Sequence, residues 1–378
     1  MIILIDLCNY DSLSQGQGQY RYMIDFLNGI SKIQSGFKFI LIGSKEVPIP
    51  EIRNILSSGS NFEYIFLKMT STKFSRFRNM ISRLWILYTH KHDIYHSIGF
   101  FVPCFPPKKC ILTMYDMMYE MFDDYKEARA SKIYKTYKRF TKRFCDKIVC
   151  ISLSTKLDSI KYWKLNPDLL TVIYPSKDCF YTKIIDNSLP VSALSNSSNH
   201  FIILSPFGLE PRKNMAMLLE SFSNIVAQYP NVSLVLYGNA GWSKQREDDY
   251  NSIIDKLKIS KSVIRTGLIT DAELFNWYAT CDLFVFPSLY EGFGYPVLEA
   301  MSHGKCVIAR NISSMKEIID DCGILVEPLS EFTLRTAMIR AYLDSNLRLK
   351  LGRMAKERSN LFSNDRIATE YINLYKAI

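Results

Sequence analysis

Short apolar runs that close on turn residues recur along the whole chain, with helical stretches between them. Residues 2–8, 37–42, 94–97, 110–114 and 147–151 form one set; residues 200–205, 232–237, 282–286 and 306–309 form a second. A strand buried on both faces of a sheet reads as a continuous apolar run, and runs of this kind alternating with helices, such as residues 214–229, predict parallel sheets wrapped by helices. At 378 residues the chain is longer than one hydrophobic core commonly fills. Between the two sets lies DNSLPVSALSNSSNH at 186–200, rich in Ser, Asn and Pro. The expectation is two doubly wound α/β domains in tandem, residues 1–185 and 200–361, joined by a linker at 186–199. In such sheets ligands bind beyond the carboxyl ends of the strands, and with two domains the cleft between them is the expected site.

Several classes are excluded. Apolar residues at 48% and charged residues at 22% are ordinary for a globular protein and argue against disorder or fibre. No window approaches the roughly 18 uninterrupted apolar residues of a membrane-spanning helix. The opening MIILIDLCNYDSLSQ lacks a basic start and carries Asp6 inside its apolar run, so it reads as a buried first strand and not as a signal peptide. Nine cysteines without a C-x-x-C pair fit a reducing compartment better than a disulfide frame or a zinc site. The expected location is the cytoplasm, with contact to the inner face of a membrane.

The charge is unevenly placed. Residues 1–190 hold 27 Lys and Arg against 17 Asp and Glu, whereas residues 191–378 hold 20 of each, so the net +10 belongs to the first half. Its densest stretch carries Lys132, Lys135, Lys138, Arg139, Lys142, Arg143 and Lys147 among Tyr134, Tyr137, Phe140 and Phe144 at helical spacing. Lys73, Phe74, Arg76, Phe77, Arg78, Arg83 and Trp85 form a second basic-aromatic stretch. A solvated helix face with core aromatics explains these strings, and so does attraction to anionic lipid headgroups, with Lys138, Arg139, Lys142 and Arg143 facing the membrane. No helix-turn-helix or RNA-recognition signature supports nucleic acid as the partner.

The string most suggestive of chemistry is FPSLYEGFGYPVLEAMSHGKCVI at 286–308. A strand ends at Phe286, a loop follows to Gly294, Pro296 suits a first helical turn and Gly304 suits a helix end. Gly292 and Gly294 allow backbone N–H groups close approach to a ligand, and the helix start behind them favours an anion. Glu291 and Glu299 bracket the loop, and carboxylates accept paired hydroxyls of the kind sugars present. A glycine turn capping a core helix is the plainer alternative.

This string resembles the E-x7-E motif of the retaining nucleotide-sugar glycosyltransferases of family four, which have the GT-B fold. The resemblance includes LEPRKN at 209–214, YGNAGW at 237–242, IRTGLITDAEL at 264–274 and SSMKEIIDDCGILVEP at 313–328. In the first half it includes GQGQYRY at 16–22, IYHSIG at 94–99, TMYDM at 113–117 and VCISLSTKLD at 149–158. It implies two Rossmann-like domains facing each other across a cleft, with a last helix at about 362–378 packing back on the first domain. It implies that Glu299 binds the donor ribose, and that Glu291, Gly292, Phe293, Gly294 and Tyr295 line the donor sugar. Lys213 and Arg212 would hold the diphosphate, Gly267 and Leu268 the base, and Gly16 and Gly18 would face the diphosphate from the first domain. Gly208 stands where many relatives carry a further Arg. Tyr115-Asp116 stands where the family often has His-Asp, and Tyr cannot serve as an imidazole base. His96 is a candidate cleft-facing residue and His303 a packing residue.

No D-x-D triplet and no Cys/His cluster with ligand spacing occurs, so no metal is expected. The implied reaction is retaining hexosyl transfer from a nucleotide diphosphate sugar, GDP-mannose favoured and a UDP-sugar possible. The acceptor would be a glycan, free or lipid-linked, in bacterial surface-polysaccharide assembly. A nucleotide-sugar epimerase or phosphorylase on the same fold and a catalytically silent nucleotide-sugar-binding scaffold are the alternatives.

Overall fold

The computed structural model describes residues 1–8, 18–58, 61–69, 75–99, 101–178, 200–238 and 244–378. The chain divides into two compact units, Met1–Cys179 with Phe362–Ile378, and Phe180–Leu361. The expected linker at 186–199 and Gly16 lie outside the described residues.

The first unit holds β1 (Ile2–Asp6), β2 (Lys38–Gly43), β3 (Phe62–Phe66), β4 (Ile94–Ser97), β5 (Lys109–Met114), β6 (Lys147–Cys150) and β7 (Leu170–Val172). They pair in the order β3-β2-β1-β4-β5-β6-β7, every pair parallel. The second holds β8 (Phe201–Pro206), β9 (Val232–Tyr237), β10 (Val263–Gly267), β11 (Leu283–Phe286), β12 (Cys306–Arg310) and β13 (Ile324–Val326). Their order is β10-β9-β8-β11-β12-β13, again all parallel. Both units have the expected doubly wound α/β architecture. The winding reverses between β1 and β4 in one unit and between β8 and β11 in the other, and in sheets of this kind ligands bind beyond the carboxyl ends of the strands at such a reversal.

The apolar runs named from sequence are the interior strands. The strands they miss, β3, β7, β10 and β13, are the four sheet edges. The edges are less deeply buried: β10 (VIRTG) has no buried residue, whereas every residue of β11 (LFVF) is buried. An edge strand is covered on fewer sides, so its sequence needs no continuous apolar run.

The last helix, Asn364–Ala377, packs on the helix Gly18–Lys32 within the first unit. Gly29 makes this approach possible, because a Cβ there would lie 2.7 Å from the Asn364 carbonyl oxygen. Asp6 closes β1 with a buried carboxylate. Arg83 Nε lies 3.1 Å from Asp6 Oδ2, the Tyr95 hydroxyl donates to the same oxygen at 2.8 Å, and the Cys8 amide donates to Oδ1 at 2.9 Å. In the sequence Arg83 reads as one of a run of surface cations. It is instead a buried ion-pair partner lying 4.4 Å over the Phe101 ring, because its helix turns that face toward the sheet.

Arg83→Met leaves the Asp6 carboxylate without its counter-ion in the core and is expected to cost about 3–5 kcal/mol. Urea unfolding of this variant and of Asp6→Asn/Arg83→Met checks it: the double variant should recover part of the loss.

Candidate functional site

In the second unit, the loops after β8 and β11 meet at the switch point. The first carries Gly208 to Asn214, including a single 3-10 turn, Pro211–Lys213. It is bound to the other loop through the backbone, the Leu289 amide donating to the Arg212 carbonyl at 2.6 Å. The side chains then converge. Arg212 Nη1 donates to Glu291 Oε1 at 2.9 Å and Lys213 Nζ to the same oxygen at 2.8 Å. Arg212 Nη2 also meets Glu210 Oε2 at 2.9 Å. Lys213 Nζ stands 5.3 Å from the Phe286 ring centre. Burial acts to raise the Glu291 carboxyl, but the Lys213 and Arg212 cations outweigh it and hold the group below its ordinary value.

The loop 291–294 is fixed from a second side. Ser314 Oγ donates to the carbonyls of Phe293 and Glu291, and the Glu291 amide donates to Ser313 Oγ at 3.3 Å. Gly294 has φ +115°, where a Cβ would lie 2.4 Å from Met315 Cε. It is the N-cap of the helix Tyr295–Ser302, which has Pro296 in its first turn. Phe293 and Tyr295 are buried and pack edge to face at 5.5 Å.

Glu299 lies on that helix, 3% exposed. Its Oε2 accepts the Tyr278 hydroxyl at 2.9 Å, and Tyr278 shares a 2.7 Å hydrogen bond with Tyr237 at the end of β9. His303 packs flat on Tyr278 at 5.3 Å, with Nδ1 2.9 Å from the Glu299 carbonyl. Burial lowers its pKa to about 4. Gly267 closes β10 at φ +68°, its carbonyl accepting the Gly238 amide at 3.0 Å, and Leu268 beside it is exposed.

Glu210 and Glu291 already answer both cations, so the Arg212–Lys213 pair is charge-compensated within the site. Glu210, Tyr278, Ser313 and Ser314 carry no motif signal of their own; only the 209–214 and 313–328 strings contain three of them. Gly208 approaches Lys213, a Cβ there lying 3.0 Å from Lys213 Cγ, so the small residue makes room for the lysine stem.

In the first unit, Tyr115 and Asp116 follow the carboxyl end of β5. Tyr115 is buried, edge-on to Tyr22 at 5.3 Å, and Asp116 Oδ1 accepts the Met118 amide at 2.9 Å. Gly18 opens the helix Gly18–Lys32. His96 does not face a cleft. It is wholly buried, with Nδ1 2.7 Å from the Tyr375 hydroxyl and Nε2 2.9 Å from Thr113 Oγ1. Thr113 in turn meets the Tyr371 hydroxyl at 3.0 Å, and Tyr371 bonds Tyr22. Burial lowers the His96 pKa to about 3, so the ring is a neutral connector between the sheet and the last helix.

The basic helix is Lys132–Phe144. Its exposed face carries Lys132, Lys135, Arg139, Lys142 and Arg143. Lys138 was expected on that face but turns inward. Its Nζ donates to Glu120 Oε1 at 2.7 Å and lies 5.7 Å from the Trp163 ring. Helical spacing puts it on the flank where Tyr134 and Tyr137 pack against Trp163. Among the described residues no group of three or more His, Cys, Asp or Glu side chains could hold a metal ion, and no helix is long and apolar enough to cross a membrane.

Residues 192–358 match the family described as Glycosyl transferases group 1. The two doubly wound parallel units have the GT-B fold. The chain is 27% identical over 315 residues to the O-antigen chain mannosyltransferase B of Escherichia coli, covering 78% of this chain and 77% of that one. It is 30% identical over 221 residues to the serotype-specific mannosyltransferase WbdA of Escherichia coli, covering 58% of this chain and 27% of that one. The Anabaena protein HepE in complex with UDP-glucose superposes with TM-score 0.74 at 16% identity, covering 100% of both chains.

Gly294→Ala is expected to destabilise the second unit by at least about 1–2 kcal/mol through the left-handed backbone alone, read as a lower Tm. Glu291→Gln should cost about 1.5–3 kcal/mol at neutral pH by weakening two charge-assisted hydrogen bonds. A carboxyl whose pKa is lowered on folding stabilises above its ordinary range and loses that contribution as pH falls through the lowered value. The difference between wild type and Glu291→Gln in urea unfolding should therefore shrink as the pH falls below the ordinary carboxylate range.

Proposed function

We propose that the chain is a retaining, metal-independent hexosyltransferase. It moves a mannose-type sugar from a guanosine diphosphate donor to a glycan acceptor carried on a lipid diphosphate, working from the cytoplasmic side. The observation that carries the reading is the convergence of Arg212 and Lys213 with Glu291 at the β8/β11 switch point, where Gly292 to Gly294 lead into the helix Tyr295–Ser302. The mannosyltransferase names of the relatives support the sugar, and the UDP-glucose bound by HepE keeps a uridine donor as the second choice.

In this reading Lys213 and Arg212 take the departing diphosphate as its charge grows, the point at which fixed cations lower the barrier most. Glu291 orients both cations and, with the Phe293–Gly294 backbone, borders the sugar. Glu299, oriented by Tyr278, contributes its acceptor capacity to the ribose hydroxyls, a carboxylate having about four acceptor positions. Gly267 and Leu268 lie against the base. The new glycosidic bond forms on the face from which the diphosphate leaves, so the enzyme supplies positioning and leaving-group stabilisation.

Purified protein incubated with GDP-mannose or UDP-glucose, a lipid-diphosphate glycan acceptor and EDTA should form an α-linked product, read by the anomeric coupling constant. Lys213→Ala should lower kcat by about 10²–10³-fold. Hydrolysis or epimerisation without acceptor would replace this reading with the epimerase. Nucleotide-sugar binding with no turnover across an acceptor panel would replace it with the silent scaffold.

A further inference from the structure

The sequence points to cations alone as the membrane-facing element, but the structure adds an apolar stripe beside them. On the helix Ser75–Thr89, Ile81, Trp85 and Tyr88 stand at i, i+4 and i+7, and all three are exposed, Trp85 by 62%. That spacing puts them on one face. The Tyr88 hydroxyl donates to the Phe105 carbonyl at 2.7 Å, and the Phe105 side chain is 71% exposed at a backbone φ of +52°. Phe105 in turn reaches the basic helix, its ring 5.1 Å from that of Phe144. Together with Lys135, Arg139, Lys142 and Arg143 it lines an open concavity of about 740 Å³. None of these four cations meets a carboxylate among the described residues.

We infer that this surface, an Ile81–Trp85–Tyr88–Phe105 stripe bordered by the Lys135–Arg139–Lys142–Arg143 face, lies in the plane of an anionic lipid bilayer. The cations meet headgroup phosphates and the stripe enters the boundary between headgroups and acyl chains. Large aromatic side chains beside unpaired cations match the two layers of a bilayer interface, one polar and anionic, one apolar. A nucleic-acid duplex offers phosphates to the cations but nothing that would cover Ile81 and Trp85, and for that reason the lipid is the occupant the surface fits. The inference goes beyond the donor-site reading and does not depend on turnover.

The full chain is tested by flotation with vesicles of phosphatidylglycerol in phosphatidylcholine, against phosphatidylcholine alone and against duplex DNA, at two salt concentrations. Binding should require the anionic lipid. Lys135→Gln/Arg139→Gln/Lys142→Gln/Arg143→Gln should lower it at least about ten-fold, since each surface cation contributes to attraction by the leaflet. Trp85→Ala/Phe105→Ser should lower it several-fold while keeping its salt dependence. Brominated lipids should quench the wild-type tryptophan emission and quench Trp85→Phe much less. Unchanged thermal unfolding of both sets confirms that these exposed substitutions leave the fold intact. Equal binding to neutral vesicles, insensitivity to both sets, or DNA binding with no bromolipid quenching would each overturn the inference. A protein that binds nucleotide sugar but no vesicle would lose this surface and keep the donor site.

Discussion

One carboxylate oxygen of Glu291 receives both Arg212 and Lys213, at the one place in the second sheet where the winding reverses. The rest of the site depends on that meeting. In an all-parallel sheet the loops on either side of the reversal leave in opposite directions, so their tips are otherwise unconnected. The ion cluster and the Leu289–Arg212 backbone bond tie them together. The cations are thereby held in place before any ligand arrives, and preorganised charge is the form that stabilises a developing anion without reorganisation.

The surroundings serve the same end. Ser313 and Ser314 grip the 291–294 backbone from behind, Gly294 lets the chain turn into its helix at a φ closed to other residues, and Tyr278 joins Glu299 to Tyr237. Glu291 and Glu299 are thus oriented by quite different means, one by cations and one by phenols. In the first unit the His96–Thr113–Tyr371–Tyr22 chain ties the last helix to β4 and β5. It ends at the ring against which Tyr115 packs. The C-terminal segment is therefore structurally part of the N-terminal unit.

What the sequence revealed, and what it hid, follows from burial. Interior strands such as β8, β9 and β11 are buried on both faces, so their apolar runs are visible without an alignment. The edge strands are covered on fewer sides: β3 and β10 carry Glu63 and Arg265, which disguise them, and β7 and β13 are only three residues long. Glu291, Glu299, Arg212 and Lys213 stand out because each sits in a string of turn and helix signals. The residues that orient them have no signature of their own: Tyr278 lies 21 positions from Glu299, Ser313 and Ser314 lie 22 and 23 positions from Glu291, and Glu210 is an ordinary loop carboxylate beside Arg212. Surface and core charges are the hardest to tell apart in the sequence. Arg83 and Lys138 look like their exposed neighbours in the sequence, yet one pairs with Asp6 in the core and the other with Glu120. The apolar stripe of Ile81, Trp85, Tyr88 and Phe105 joins two distant segments and is visible only once they are folded together.

Under the proposed function the Arg212–Lys213–Glu291 cluster receives a nucleoside diphosphate. Phosphorus NMR of GDP and UDP titrated with wild type and with Lys213→Ala, in EDTA, tests it most directly. The terminal phosphate resonance of one nucleotide should shift and broaden on binding wild type, and Lys213→Ala should abolish the shift while retaining the fold. An unperturbed terminal phosphate with both nucleotides, or an equal shift in Lys213→Ala, would contradict it.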